Sequence, residues 1–290
     1  MKQTILVTGA SGGFGKLIVN HLLENDHQVI ATMRNADGRN KPNAEELSAK
    51  GAIIVELDVT DNASVENAIA EALDKTGGID VVINNAGLGV MGYQESFTPE
   101  DWQRLFDINV FGVQRVIRAI LPHFKAKKAG TIMNISSLLG RMTVPFYGPY
   151  NASKWALEAM SENYRTELSQ LGIDVVIVEP GGFATSFIDA LMRPSDSSRD
   201  ADYASFQPTP QFFLENFEQG LASNPEQDPA NVAKAIVSLL EMPAGERPLR
   251  TIVDKMGMGD ALAGLNQASD QITSGIYGAF HIDHLLKLKK

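Results

Sequence analysis

Tyr150 and Lys154 stand four residues apart in a segment readable as a helix, so their side chains share one face. An ammonium beside a phenol favours the phenolate, and the spacing predicts a Tyr150 pKa pulled down from about 10 toward neutrality. Such a phenol can hand a proton to the alkoxide that develops when a carbonyl accepts a hydride. Tyr147 has Asn151 and Tyr164 has Leu168 at the equivalent place, and no other tyrosine in the chain has a lysine there. A bare Tyr-x-x-x-Lys pair is common by chance. This one is informative because it follows a β-branched run that leads into Ser136-Ser137, whose hydroxyls are candidates to hydrogen-bond a reacting oxygen.

A second cluster suits phosphate. Gly9-Ala10-Ser11-Gly12-Gly13-Phe14-Gly15 lies between the apolar run Thr4–Thr8 and the helical stripe Phe14/Leu17/Ile18/Leu22. Glycines at such a junction permit a tight turn and let a pyrophosphate approach backbone N–H groups at a helix N-terminus, where the dipole favours negative charge. The placement after a first strand and before a helix makes Gly9, Gly13 and Gly15 candidate dinucleotide contacts. An NAD site usually offers an acid to the ribose 2′-OH roughly 20 residues past the glycines. No carboxylate occurs between Asp26 and Asp37; the strand ends at Met33 and Arg34 follows. A planar guanidinium there suits a 2′-phosphate, so the expected cofactor is NADP(H). Arg39 and Lys41 stand too far along the next loop to assign from sequence.

The elements that must carry these residues follow from periodicity. Thr4–Thr8, Gln28–Met33, Ala52–Asp58, Val81–Asn84, Thr131–Ile135, Asp174–Val178 and Arg250–Asp254 read as seven strands. Val65/Ile69/Leu73, Val113/Val116/Ile117/Ile120 and Val232/Ile236/Val237/Leu240 make further helical stripes. Thr98-Pro99-Glu100-Asp101 and Asp228-Pro229 mark helix starts by a capping side chain followed by proline. Repeated strand-helix-strand units with right-handed crossovers give a doubly wound α/β domain. Its seven-stranded parallel sheet has helices on both faces and its ligand crevice lies at the carboxyl ends of the strands.

One domain spanning 1–290 is expected. Two segments stand apart from its rhythm. Residues 186–227, with Pro194, Pro208, Pro210 and Pro225 among Ser/Asp-rich stretches, read as a long mobile insertion that serves as a substrate lid. Residues 256–290 form a C-terminal extension of unreadable function.

Composition removes several function classes. A formal net charge of −10 offers no uniform attraction to nucleic acid. No stretch approaches the ~18 apolar residues of a membrane span, and the N-terminal apolar run is too short for a signal peptide. The absence of cysteine excludes disulfides and thiolate sites and fits a cytoplasmic location. His281 and His284 have no carboxylate-backed ligand set around them, and no metal is expected.

The spacing Thr-Gly-x3-Gly-x-Gly at Thr8–Gly15 resembles the short-chain dehydrogenase/reductase family, and further matches follow in family order over roughly residues 4–254. The resemblance implies a Rossmann fold and an NADP-dependent oxidoreductase acting on a carbonyl or alcohol. It implies that Ser11 lies near the 2′-phosphate and that Asp58, with Val59 beside it, meets adenine. It also implies that Asn85, Ala86 and Gly87 of Asn84-Asn85-Ala86-Gly87 line the cofactor, with Pro180, Gly181 and Thr185 on the nicotinamide side. It selects Ser137, 13 residues before Tyr150, as the substrate-orienting hydroxyl. It gives Asn109 a place in a proton relay through a water linked to Lys154, and lets Tyr150 and Lys154 contact the cofactor as well. Phe14 in the glycine loop and the tail past residue 254 are less typical of the family. Ala31-Thr32-Met33-Arg34 and the long insertion are similar to hydroxysteroid and retinol dehydrogenases, but carbonyl reductases share them, so no steroid substrate is implied. Met142, Val144, Phe146, Phe183 and Phe187 suggest an apolar pocket. Family members commonly pair through helices represented here by Asn109–Leu121 and Ala152–Leu171, implying a homodimer or homotetramer. The competing expectation is a dinucleotide-binding redox sensor without turnover, which has no need of the full Asn109/Ser137/Tyr150/Lys154 set.

Overall fold

The computed structural model describes residues 2–289. Among them the elements run β1 (Thr4–Val7), α1 (Gly13–Glu24), β2 (Gln28–Met33), α2 (Lys41–Ala49), β3 (Ile53–Glu56), α3 (Asn62–Thr76) and β4 (Val81–Asn84). Next come α4 (Pro99–Phe106), α5 (Gly112–Lys127), β5 (Gly130–Ile135), α6 (Gly148–Ser169) and β6 (Ile173–Pro180). The chain continues through α7 (Ser186–Asp189), α8 (Pro210–Ala222), α9 (Ala230–Glu241), β7 (Arg250–Val253) and α10 (Gly259–Ala279). The strands form one parallel sheet in the order β3-β2-β1-β4-β5-β6-β7. β1 pairs with β2 on one side and β4 on the other, so the winding direction reverses there and a crevice opens at the strand ends.

Alternation along β1 divides the core. Ile5 and Val7 join Ile18, Val19 and Leu22 of α1 and Ile236 and Leu239 of α9 on one face. Leu6 joins Val65 and Ile69 of α3, Val116, Ile117 and Ile120 of α5 and Leu157 of α6 on the other. All four expected helical stripes pack against the sheet. The sheet also carries a buried polar ladder: Asn84 Nδ2 donates to Asn134 Oδ1 at 2.8 Å, Asn134 Nδ2 to Ser161 Oγ at 2.8 Å, and Ser161 Oγ to Leu157 O at 2.6 Å. Each link satisfies a group that would otherwise be costly to bury, and together they hold α6 in register against β4 and β5.

Residues 186–227 contain regular structure. The segment holds α7, a 3₁₀ turn at Ser197–Tyr203 and α8, with Leu214 and Leu221 buried. Asp101, in the expected capping box with Thr98, also accepts hydrogen bonds from Ser195 N at 2.9 Å and Ser195 Oγ at 2.6 Å. Ser96 Oγ donates to Asp200 at 2.6 Å, and Tyr203 stacks on Tyr93 at 4.2 Å. These fastenings reach back about a hundred residues, beyond what local periodicity reports. The tail forms α10 and then returns to α6, where Lys289 N donates to Ser169 O at 2.9 Å. Among the described residues no helix is long and apolar enough to cross a membrane, and no group of three or more His, Cys, Asp or Glu could hold a metal ion.

Candidate active site

The glycine loop follows β1, and its shape depends on two glycines. Gly9 has φ +68° and approaches the loop after β4 so closely that a Cβ would fall 2.8 Å from Ala86 Cα. A Cβ on Gly15 would fall 2.2 Å from Gly9 O, which lets the start of α1 sit directly under the turn. Thr8 ties the two loops together: its hydroxyl accepts from Asn85 N and Ala86 N, each at 3.0 Å, while Asn85 Nδ2 donates to Thr8 O at 2.9 Å.

The crevice above them measures about 710 Å³. Its wall includes Gly9, Ser11, Gly13, Phe14, Arg34, Val59, Asn85, Ala86 and Gly87 on one side, and Ser137, Tyr150, Lys154, Pro180, Gly181 and Thr185 on the other. Three expected site residues lie behind the wall. Gly15 supports the turn. Asp58 faces Thr60, accepting from its backbone N at 2.9 Å and its hydroxyl at 2.7 Å, and lies 3.7 Å from Arg34 Nη1. Asn109 is buried in a π-helical stretch, Asp107–Phe111, that joins α4 to α5. Its Oδ1 accepts from Leu88 N at 2.8 Å, and its Nδ2 donates to Leu88 O at 2.9 Å and Ser153 Oγ at 3.0 Å. The Asn109 side chain therefore fastens the loop after β4 to α6, with both Nδ2 hydrogens committed. Of the five residues expected to make an apolar pocket, Val144, Phe183 and Phe187 reach the wall; Phe146 is buried among Tyr93, Phe213 and their neighbours instead, and Met142 also stays out of the wall.

A family model described as short chain dehydrogenase matches residues 3–195, two thirds of the chain and every element just placed around the glycine loop and Tyr150. The chain belongs to this family. It is 39% identical over 202 residues to a 3-ketodihydrosphingosine reductase of Bacteroides thetaiotaomicron, covering 70% of this chain and 72% of that protein. It is 32% identical over 249 residues to retinol dehydrogenase 8 of Bos taurus, covering 82% of this chain and 78% of that one. The crystal structure of a short-chain dehydrogenase from Streptomyces avermitilis superposes with a TM-score of 0.74 at 29% identity, covering 98% of each chain.

The electrostatics of this short-chain dehydrogenase depart from the sequence expectation in one respect. Burial pushes the Tyr150 phenol well above the ordinary tyrosine range, against a smaller opposing pull from the neighbouring Ser137 hydroxyl. Lys154 does not offset that burial: its Nζ donates to Ile135 O at 2.8 Å and stands over the ring, 5.6 Å from the centroid. Burial pulls Lys154 itself down to about 8, partly countered by Glu158. Tyr147, also on the wall, is pushed up to about 12 by burial.

Several wall residues escaped sequence reasoning. Met33, the last residue of β2, and Leu57, just past β3, line the crevice. Ser186 faces the glycine loop, its Oγ 3.3 Å from where a Gly12 Cβ would be. Arg39 lines the crevice with Arg34 because the loop between them folds back: Ala36 is buried in the core and Asn40 Nδ2 donates to Arg34 O at 2.6 Å. The one apolar residue between Arg34 and Arg39 other than glycine, Ala36, is the sequence feature that marks the fold-back.

Proposed function

We propose that this short-chain dehydrogenase uses NADP(H) to transfer a hydride between nicotinamide and a carbonyl or secondary alcohol of an apolar small molecule. The observation that carries the reading is the common wall: the glycine loop and the Ser137, Tyr150 and Lys154 side chains face one crevice. Gly9 and Gly15 let the turn pack tightly on Ala86 and on the start of α1, which supports reading the loop as a pyrophosphate cradle at a helix N-terminus. Gly9, Ser11, Gly13, Phe14, Asn85, Ala86, Gly87, Pro180, Gly181 and Thr185 would hold its body, with Asp58 and Val59 at the adenine end. Arg34 would meet the 2′-phosphate, for which it must leave its loose pairing with Asp58.

When bound, the nicotinamide supplies or accepts the hydride. Ser137 orients the reacting oxygen by a hydrogen bond, and Tyr150 delivers the proton in the reducing direction. Lys154, protonated below about pH 8, then stabilises the phenolate left behind. Asn109 gives the loop after β4 its position and, by the family resemblance, would hold a water that links Lys154 to a proton relay.

Leu88, Leu139, Val144, Phe187, Leu191 and Phe213 provide the apolar wall beside this set. That lining matches the apolar compounds named in the relatives above. The 186–227 segment supplies Phe187, Leu191 and Phe213 to the wall, which supports its reading as a lid. Phe111 and Trp155, 52% and 43% exposed on the helices expected to pair, favour a homo-oligomer. The absence of cysteine supports a cytoplasmic location.

The experiment is a comparison of kcat/KM with NADPH and NADH over a panel of long-chain and ring ketones and aldehydes. NADPH should be preferred, and Arg34→Ala should lower its kcat/KM about 10- to 150-fold, as expected for losing a charge-assisted contact. Preference for NADH in the parent enzyme would overturn the cofactor assignment. Tight dinucleotide binding with no turnover on any carbonyl would favour the redox-sensor reading.

A further inference from the structure

We propose that the C-terminal helix α10 braces the turn that presents Ser137, with Asn266 as the positioning residue. The inference rests on the reading of Ser137 as the orienting hydroxyl. Ser137 leaves β5 and opens a one-turn 3₁₀ helix, Leu138–Gly140; its Oγ accepts from Leu139 N at 3.1 Å, and Gly140 N donates to Ser137 O at 2.9 Å. The turn closes at Arg141, whose N donates to Leu138 O at 3.0 Å.

This turn is held from two sides. On the α6 side the backbone is pressed against the helix, so that a Cβ on Gly140 would fall 2.9 Å from Glu158 Cγ and 3.2 Å from Lys154 O. On the other side the Arg141 guanidinium donates through Nε to Asn266 Oδ1 at 2.9 Å, and Asn266 Nδ2 donates to Glu179 Oε2 at 2.8 Å. Asn266 is buried, one of few α10 residues that are. Its amide is the chemical form this place requires, because it must accept from a guanidinium and donate to a carboxylate at once. Glu179 is anchored in turn: its Oε1 lies 3.5 Å from Arg250 Nε, which donates to Glu158 Oε2 at 2.9 Å. Glu158 stands one helical turn past Lys154.

One buried network therefore touches the Ser137 turn from behind and the Lys154 helix from below, and it closes through a helix outside the residues 3–195 that the family model matches. Catalytic geometry is sensitive to such support, since a shift of about 1 Å at a reacting group can cost on the order of 10²-fold in rate. The apolar docking of α10 through Leu262 explains why the helix stays bound but leaves the Arg141–Asn266–Glu179 chain without a role. Holding Ser137 supplies one.

The test compares a broken bridge with a reversed one. Asn266→Leu keeps the volume and deletes both hydrogen bonds; kcat should fall by about tenfold or more while the Kd for NADPH, read by fluorescence titration, stays within about twofold. The double variant Asn266→Asp/Glu179→Gln reverses the donor and acceptor across the second hydrogen bond and still accepts from Arg141, so its kcat should lie within about threefold of the parent's. Should Asn266→Leu fail to fold, Arg141→Met removes the same contact from the turn's side and carries the same readout. Unchanged kcat in the broken variant, loss in the reversed one, or a kcat loss that tracks loss of NADPH binding overturns the brace. Ser137→Ala is measured alongside. If Ser137→Ala keeps its kcat, the reading of Ser137 fails; if it is inactive while the Asn266 variants turn over normally, only the brace fails.

Discussion

Strand β6 carries a buried acid near each end, and the two are treated differently. Asp174, at the end away from the crevice, is saturated: Oδ1 pairs with Arg165, and Oδ2 accepts from Arg247 Nη1 at 3.0 Å and Gly245 N at 3.2 Å. Glu179, at the crevice end, has one good hydrogen bond from Asn266, while its other oxygen has no hydrogen-bond partner. A native fold normally satisfies such groups, so the contrast separates a fastening from a working region. The end proposed to hold the chemistry keeps a buried lysine, a buried phenol and an under-satisfied carboxyl, groups whose burial is costly in general.

The comparison breaks most decisively at the crevice end. Tyr150→Phe should lower kcat by about 10³-fold while leaving NADPH binding and the melting temperature nearly unchanged, because the ring and its packing remain. Near-normal kcat on a substrate the parent reduces would remove Tyr150 from the mechanism. Tyr147→Phe is a less clean control than its spacing suggests, because Tyr147 also faces the crevice and can touch substrate. At the far end Asp174→Asn should cost about 3–5 kcal/mol in chemical denaturation, since it leaves Arg165 and Arg247 without their shared counter-charge. The protein that remains folded should keep the parent's kcat. Lost turnover without lost stability would erase the distinction between the two ends.

The legibility of these regions in the sequence follows the same division. All seven strands could be read because a parallel sheet buried on both faces demands continuous β-branched runs, and the strand ends located the crevice. Tyr150, Lys154 and the glycine loop could be placed on one crevice wall because local spacing and strand order fix them, whereas the choice of Ser137 over Ser136 came from the family resemblance. What stayed hidden is non-local. Asn266 meets Arg141 and Glu179 across 125 and 87 residues, and no period in either segment announces it. The helix α10 was ambiguous because Leu265, Ile272 and Ile276 face outward and only Leu262 gives a core anchor. The Tyr150 expectation failed for a different reason: helical spacing brought Lys154 to the correct face, yet burial outweighs what the ammonium can do from above the ring.

The smallest effect, and the one that sharpens the comparison most, is the pH dependence of Glu179. Burial, reinforced by the nearby Glu158 carboxyl, pushes its pKa from the ordinary 4.5 up to about 7. In that window the folded state binds more protons at this site than the unfolded state, so the contribution of Glu179 to stability falls as pH rises from 4.5 to 7. Its cost is fully present above the folded pKa and vanishes below the unfolded one. Asp80 and Asp101 are held below the usual range by their partners and have the opposite sign, losing stability as pH falls, so the parent's curve mixes both trends. The difference between parent and Glu179→Gln isolates the one group. The variant keeps an acceptor for Asn266 and removes the charge; in urea unfolding it should be more stable than the parent by about 1–3 kcal/mol at pH 8. At pH 4.5 the two should converge. An equal difference at both pH values would mean that Glu179 is as settled in its burial as Asp174, and the contrast between the two ends of β6 would reduce to distance from the crevice.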